Sequence, residues 1–173
     1  RRWSGELKAL LQTYHRDFPL REGFPREELR SRKFQGLNHR IFQFLLLEME
    51  TDGLLRNTAQ AVALKSFKPE PDREQEKKIA GILQALQKAA FLPPSWGELS
   101  REVGLSEPVA GEVLQYLLRS GDLVKVADDL FFHRDILAQA RTKVTGHLRE
   151  KGEISVGETR DLLQTSRKYA LPL

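Results

Sequence analysis

The chain contains no cysteine, which excludes disulfide staples, thiolate metal sites and thiol nucleophiles and fits a reducing, cytoplasmic setting. Its four histidines are scattered without ligand spacing. No apolar run approaches the roughly 20 residues of a membrane span. The Arg1-Arg2-Trp3 start also lacks the apolar stretch of a signal peptide, so no membrane association is expected. Equally missing are a glycine-rich phosphate loop with its lysine, a nucleophile elbow and a metal-ligand pair at i, i+4. Glu27-Glu28 read as a solvated helix start and Asp128-Asp129 as a turn. The expectation is a non-catalytic chain that holds no metal or cofactor of its own.

What is present is 173 residues, 40% hydrophobic and 30% charged, enough apolar material for packed cores in one to three domains. The net charge of +4 is unevenly spread. Residues 1–68 carry 13 Lys and Arg against 8 Asp and Glu, residues 69–133 carry 7 against 11, and residues 134–173 carry 8 against 5. A polyanion contact is therefore expected at the ends rather than in the middle.

Lys68-Pro69-Glu70-Pro71-Asp72 is a strong breaker and marks a boundary. After it, Ile79, Ile82, Leu83, Leu86, Ala90 and Phe91 recur at helical spacing up to Pro93-Pro94. A short helix from about Gly97 to Val103 follows, and Gly104 turns the chain. Ser106 is expected to cap a helix with Glu107 and Pro108 in its first turn. Gly121 suits the end of that helix, and Leu123 to Val126 with Leu130 to Phe132 read as a hairpin across Asp128-Asp129. Three helices and a hairpin in this order make a winged helix, the helix-turn-helix variant with a β-wing.

The unit repeats. Ser95-Trp96-Gly97-Glu98 precedes Ser155-Val156-Gly157-Glu158 by sixty residues, and the same shift sets Val103 on Leu163, Ser106 on Ser166, Val109 on Tyr169 and Ala110 on Ala170. Ile136, Leu137, Ala140, Val144 and Leu148 then fall in the first-helix position of a third unit. A looser copy lies at the start: Leu7, Leu10, Leu11 and Tyr14 on a first helix, Pro25 to Arg32 on a second, Asn38 in the slot of Ser106, and a hairpin of Leu54 to Asn57 with Ala61 to Leu64. The expected fold class is mainly α with small β-hairpins, arranged as tandem winged helices. Their expected extents are 1–68, 69–133, and an incomplete final unit over 134–173.

The three recognition-helix starts differ. The middle one carries Glu107 with Glu112 behind it, which suits the macrodipole and repels phosphate. The first carries Asn38-His39-Arg40, but Phe42, Phe44, Leu45, Leu46 and Leu47 leave little polar face, and a core helix outweighs a base reader. In the third, a hydroxyl cap at Ser166 is followed by Arg167 and Lys168, against the macrodipole, and this points to an anionic partner. Tyr169 suits stacking or a core role equally well. Arg141, Lys143, His147, Arg149 and Lys151 add cations on the preceding helix; they are either a solvated face or a set lining one phosphate strand. Pro172 should kink or loosen its turn.

Thr159-Arg160-Asp161-Leu162-Leu163 followed by Thr165-Ser166-Arg167-Lys168-Tyr169-Ala170-Leu171-Pro172-Leu173 resembles the last winged-helix repeat of the bacterial selenocysteine-specific elongation factors, the SelB family. The resemblance implies an RNA-binding region of four tandem winged helices, of which this chain would hold the second, the third and the opening of the fourth. The last repeat would grip a hairpin in selenoprotein mRNA beside an in-frame UGA codon, with Arg167 and Lys168 at the basic start of its recognition helix and Ser166, Tyr169 and the cations of residues 141–151 as weaker transfers. It also implies an N-terminal GTPase part binding GTP, magnesium and selenocysteinyl-tRNA, a ribosome partner and a monomer. A DNA-binding regulator and a protein-interaction scaffold are the alternatives on the same fold; three unlike helix starts argue against symmetric DNA reading. The acidic middle unit is expected to space the RNA-binding end from the tRNA-binding end.

Overall fold

The protein is described here by a computed structural model covering residues 2–173 without the side chains of residues 2 and 3, so the Arg1-Arg2-Trp3 reading lies outside the described residues. The chain forms two compact units, Arg1–Asp72 and Arg73–Leu173.

The first unit runs α1 (Arg2–Asp17), β1 (Phe24–Pro25), α2 (Arg26–Lys33), α3 (His39–Thr51), β2 (Leu55–Asn57) and β3 (Ala61–Leu64). Apolar residues at helical spacing on α1 and α3 meet the alternating face of the hairpin in one core that includes Leu7, Leu11, Phe24, Leu29, Phe42, Leu46 and Val62. Each such leucine or phenylalanine contributes about 1.5–3 kcal/mol by leaving water. The Asn38 side chain accepts the Arg40 N–H at 2.9 Å, which starts α3. The hairpin falls where its pattern predicts. The strand β1 is an addition that no alternation announced. It pairs with β3 through Phe24 with Val62 and Pro25 with Ala61, giving the antiparallel order β1-β3-β2. Gly23 permits that pairing, since a Cβ there would stand 2.5 Å from the Val62 carbonyl oxygen. Beyond β3 the proline-rich segment is tied back by the Glu70 N–H to the Pro19 carbonyl.

The second unit runs α4 (Arg73–Ala89), α5 (Trp96–Glu102), α6 (Glu107–Ser120), β4 (Leu123–Ala127), β5 (Leu130–His133), α7 (Arg134–Lys151), α8 (Val156–Leu163) and α9 (Arg167–Ala170). The β4–β5 hairpin turns through Asp129 at φ 51°, and Gly121 ends α6 in the left-handed conformation. The sixty-residue repeat extends to individual hydrogen bonds. Glu98 accepts the Ser95 N–H and hydroxyl, both at 2.8 Å, while Ser95 Oγ accepts the Glu98 N–H; Glu158 and Ser155 form the same capping box at the same carboxylate distances. The following turns match too. The Leu105 N–H reaches the Ser100 carbonyl at 2.9 Å and the Thr165 N–H reaches that of Arg160 at 3.0 Å.

Two expected caps are not made. Ser106 and Ser166 have the extended backbone of N-cap residues and accept the first helical bonds on their carbonyls, but neither hydroxyl caps its helix. Pro108 removes one of the two N–H groups a Ser106 hydroxyl would bind. In α9 the Tyr169 N–H is already bonded to the Ser166 carbonyl at 3.0 Å. Nor does Pro172 kink a helix, because α9 ends at Ala170.

Candidate nucleic-acid interface

The turn between α8 and α9 places the cations. Gln164, at φ 50°, adopts the left-handed conformation that Gly104 supplies sixty residues earlier, and the chain re-enters a helix at Arg167. Buried Leu163 and Ala170 fix the two helices against the body, which leaves Arg167 and Lys168 exposed. The Lys168 ammonium lies 5.1 Å from the Tyr169 ring.

Tyr169 itself is half-buried against a cluster of Phe91, Leu130, Phe132, Ile136, Ala140 and Leu163. Like Val109, with which it aligns, it is partly buried. Of the apolar residues over 134–173, Ile136, Ala140 and Leu163 share this core with the preceding hairpin, while Leu148, Leu171 and Leu173 are exposed. Thr165 donates its hydroxyl to the Phe91 carbonyl, at the end of α4.

The α7 cations do not share one face. At about 100° per residue, Lys143, His147 and Lys151 climb one stripe at i, i+4 and i+8, and Arg141 and Arg149 project elsewhere. Two members of the stripe, Lys143 and His147, have partners within the protein. Lys143 Nζ sits 5.4 Å from the Phe91 ring, and His147 Nε2 lies 3.9 Å from Glu158 Oε1, with only 14% of the His147 side chain exposed. The Ser155 hydrogen bonds, first from its backbone, hold the Glu158 carboxyl below the usual range, with smaller help from His147 and Lys151. The Ser95 bonds do the same for Glu98, with Arg101 and Lys168 adding a little. Arg141, Arg149 and Lys151 are solvent-exposed. Sequence reasoning missed Phe91 and Thr165 as fixtures of this end. Helical periodicity placed Phe91 on an apolar face but carried no sign that its partner lay 74 residues away.

The first unit holds a second surprise at its recognition-helix position. Phe42, Leu46 and Met49 of α3 are buried as a core helix requires, but Ile41, Phe44 and Leu47 are 55%, 62% and 56% exposed. The core takes Phe42, Leu46 and Met49, with Leu45 packed against it, and leaves the other three apolar residues of that helix outside. In the middle repeat, exposed Glu107 opens α6. Among the described residues no group of three or more His, Asp or Glu side chains is arranged to hold a metal, and no helix is long and apolar enough to cross a membrane.

Comparison with known proteins supplies the family. Residues 8–64 and 146–173 match two models described as elongation factor SelB, winged helix. The chain is 23% identical over 170 residues to the selenocysteine-specific elongation factor of Desulfomicrobium baculatum and 21% identical over 168 residues to that of Haemophilus influenzae. These alignments cover 98% and 97% of this chain and 27% of each relative, so the chain spans about a quarter of the proteins it matches. Among solved structures, a bacterial selenocysteine-specific elongation factor, EF-Sec, has the same fold, with a TM-score of 0.58 at 16% identity over 98% of this chain and 25% of that one.

Proposed function

Because the chain belongs to the SelB family, matching its C-terminal winged-helix region, we propose that it is an RNA-binding part of a selenocysteine-specific elongation factor, recognising the selenoprotein mRNA hairpin that directs incorporation at UGA. The observation that carries the reading is the exposed Arg167-Lys168 pair at the start of α9, on a helix-turn-helix anchored to the Phe91 core. Two exposed cations side by side raise the local positive potential, and a phosphate placed there relieves both charges.

In this role the chain does no chemistry. It supplies position, and the GTPase chemistry with its GTP and magnesium belongs to other parts of the factor, as do selenocysteinyl-tRNA binding and cytoplasmic action on the ribosome. The middle repeat, acidic at its recognition-helix start, acts as a spacer. The deciding experiment titrates the chain with a selenoprotein mRNA hairpin against competing duplex DNA at matched salt. The hairpin should win; preference for the duplex would move the chain to DNA-binding regulators.

A further inference from the structure

We infer that the outer face of α3 is a second RNA contact, on which Phe44 stacks an unpaired base and Arg40 holds the adjoining phosphate. Burial in the core accounts for Phe42, Leu46 and Met49 and leaves Ile41, Phe44 and Leu47 without a packing role. Monomeric proteins seldom leave three large apolar side chains in a row on one helix without a use for them.

What surrounds the stripe selects the occupant. Arg40 and Phe44 are one turn apart at i, i+4, so both project from one side of the helix, and Leu47 continues the row at i+7. Among the described residues the Arg40 guanidinium has no ion-pair partner, whereas Arg30 and Arg32 on α2 are paired with Glu27 and Glu28. Gln43 and His39, whose side-chain nitrogens lie 3.4 Å apart, add donors and acceptors beside the ring. Residues 1–68 carry a net +5. An exposed aromatic beside a free guanidinium on a basic body matches the stacking platforms that take single-stranded nucleic acid, where the base offers its face and the backbone its charge. A protein partner would be served by the apolar stripe alone and gives no use for the free cation. The choice of RNA over DNA rests on the proposed function; the stacking geometry does not.

The test measures fluorescence anisotropy of the full chain with labelled oligouridylate of ~12 nucleotides, with oligodeoxythymidylate and with duplex RNA. Phe44→Ala should weaken oligouridylate binding roughly tenfold, Phe44→Trp should keep or strengthen it, and Phe44→Leu should fall with alanine because the π-face is lost. Duplex RNA, whose bases are already stacked, should bind the same before and after. Because Phe44 is exposed, thermal melts of the variants should match the parent. The same fold-changes should appear with Arg167 and Lys168 both changed to alanine, which separates this contact from the one on α9. The inference fails if the parent chain does not bind oligouridylate, if Phe44→Ala or Phe44→Leu binds as the parent does, or if oligodeoxythymidylate binds more tightly. It also fails if Phe44→Ala abolishes self-association of the chain and leaves RNA binding intact.

Discussion

The Thr165 hydroxyl donates a hydrogen bond to the backbone carbonyl of Phe91, 74 residues earlier, and so clips the helix-turn-helix of the last repeat onto the end of α4. The Phe91 side chain belongs to the same core as Leu163, and Tyr169 packs against that core. One residue thus receives both a polar and an apolar anchor from the same turn. Thr165→Val keeps the shape and leaves the carbonyl without its partner, which should cost about 1–3 kcal/mol. Urea unfolding of the full chain, followed by circular dichroism, measures the shift; an unchanged midpoint would mean the bond contributes nothing.

Arg167→Ala with Lys168→Ala should weaken mRNA hairpin binding steeply and flatten its dependence on salt by about one to two counterions. Reversing Glu107 and Glu112 to lysine should leave that binding unchanged when measured in the intact factor, because the proposed function gives neither residue an RNA contact. A large loss from the second pair, or none from the first, would overturn this division of labour.

The two capping boxes give matched experiments. Ser95→Ala and Ser155→Ala should each destabilise the chain by about 1 kcal/mol, while Glu158→Gln retains both hydrogen-bonding partners of the box. The Glu158 carboxyl is held below its ordinary range by the Ser155 bonds. A group depressed in the folded state adds stability above its unfolded pKa and loses it as pH falls through the folded one. The parent should therefore weaken on acidification more than Glu158→Gln does, read from denaturation midpoints across the carboxylate range.

His15 also costs stability on acidification, but for a different reason, since the fold holds its neutral form. Its Nε2 accepts the Leu64 N–H at 3.1 Å and its ring stacks on Phe67, 3.6 Å between centroids. Burial, with the charge of Arg56 adding, pulls the imidazole from 6.5 down to about 4. Between those values the unfolded chain binds a proton that the folded chain refuses, so stability is full above the upper value and falls as pH drops toward the lower. His15→Gln keeps an acceptor for Leu64 and cannot titrate. Its melting temperature should be flatter than the parent's across this window.

Periodicity and breakers made most of the fold legible. Residues 95–98 and 155–158 announced their shared capping geometry through identical Ser and Glu positions, and Gly121 announced the end of α6. The strand β1 was not legible, because two residues cannot show alternation and its reason, the close approach at Gly23, exists only once β3 is beside it. Exposure on α3 was hidden for a similar reason. A helix with apolar residues on both sides reads as buried, and its sequence does not say that Ile41, Phe44 and Leu47 stand exposed. At α9, composition revealed the cations of residues 167 and 168. It gave no notice that Lys143 would lie beside Phe91 or His147 beside Glu158.

The Phe91 clip also sets a clock on biosynthesis. A ribosome adding about 5–20 residues per second leaves an interval of roughly 4–15 s between Phe91 and Thr165. For the 31 residues from Phe132 to Leu163, about 2–6 s of it, Phe91, Leu130 and Phe132 have all been made and Leu163 has not. The nascent middle repeat therefore waits with an uncovered apolar seam, a natural landing place for a chaperone, until the last helix-turn-helix arrives to close it.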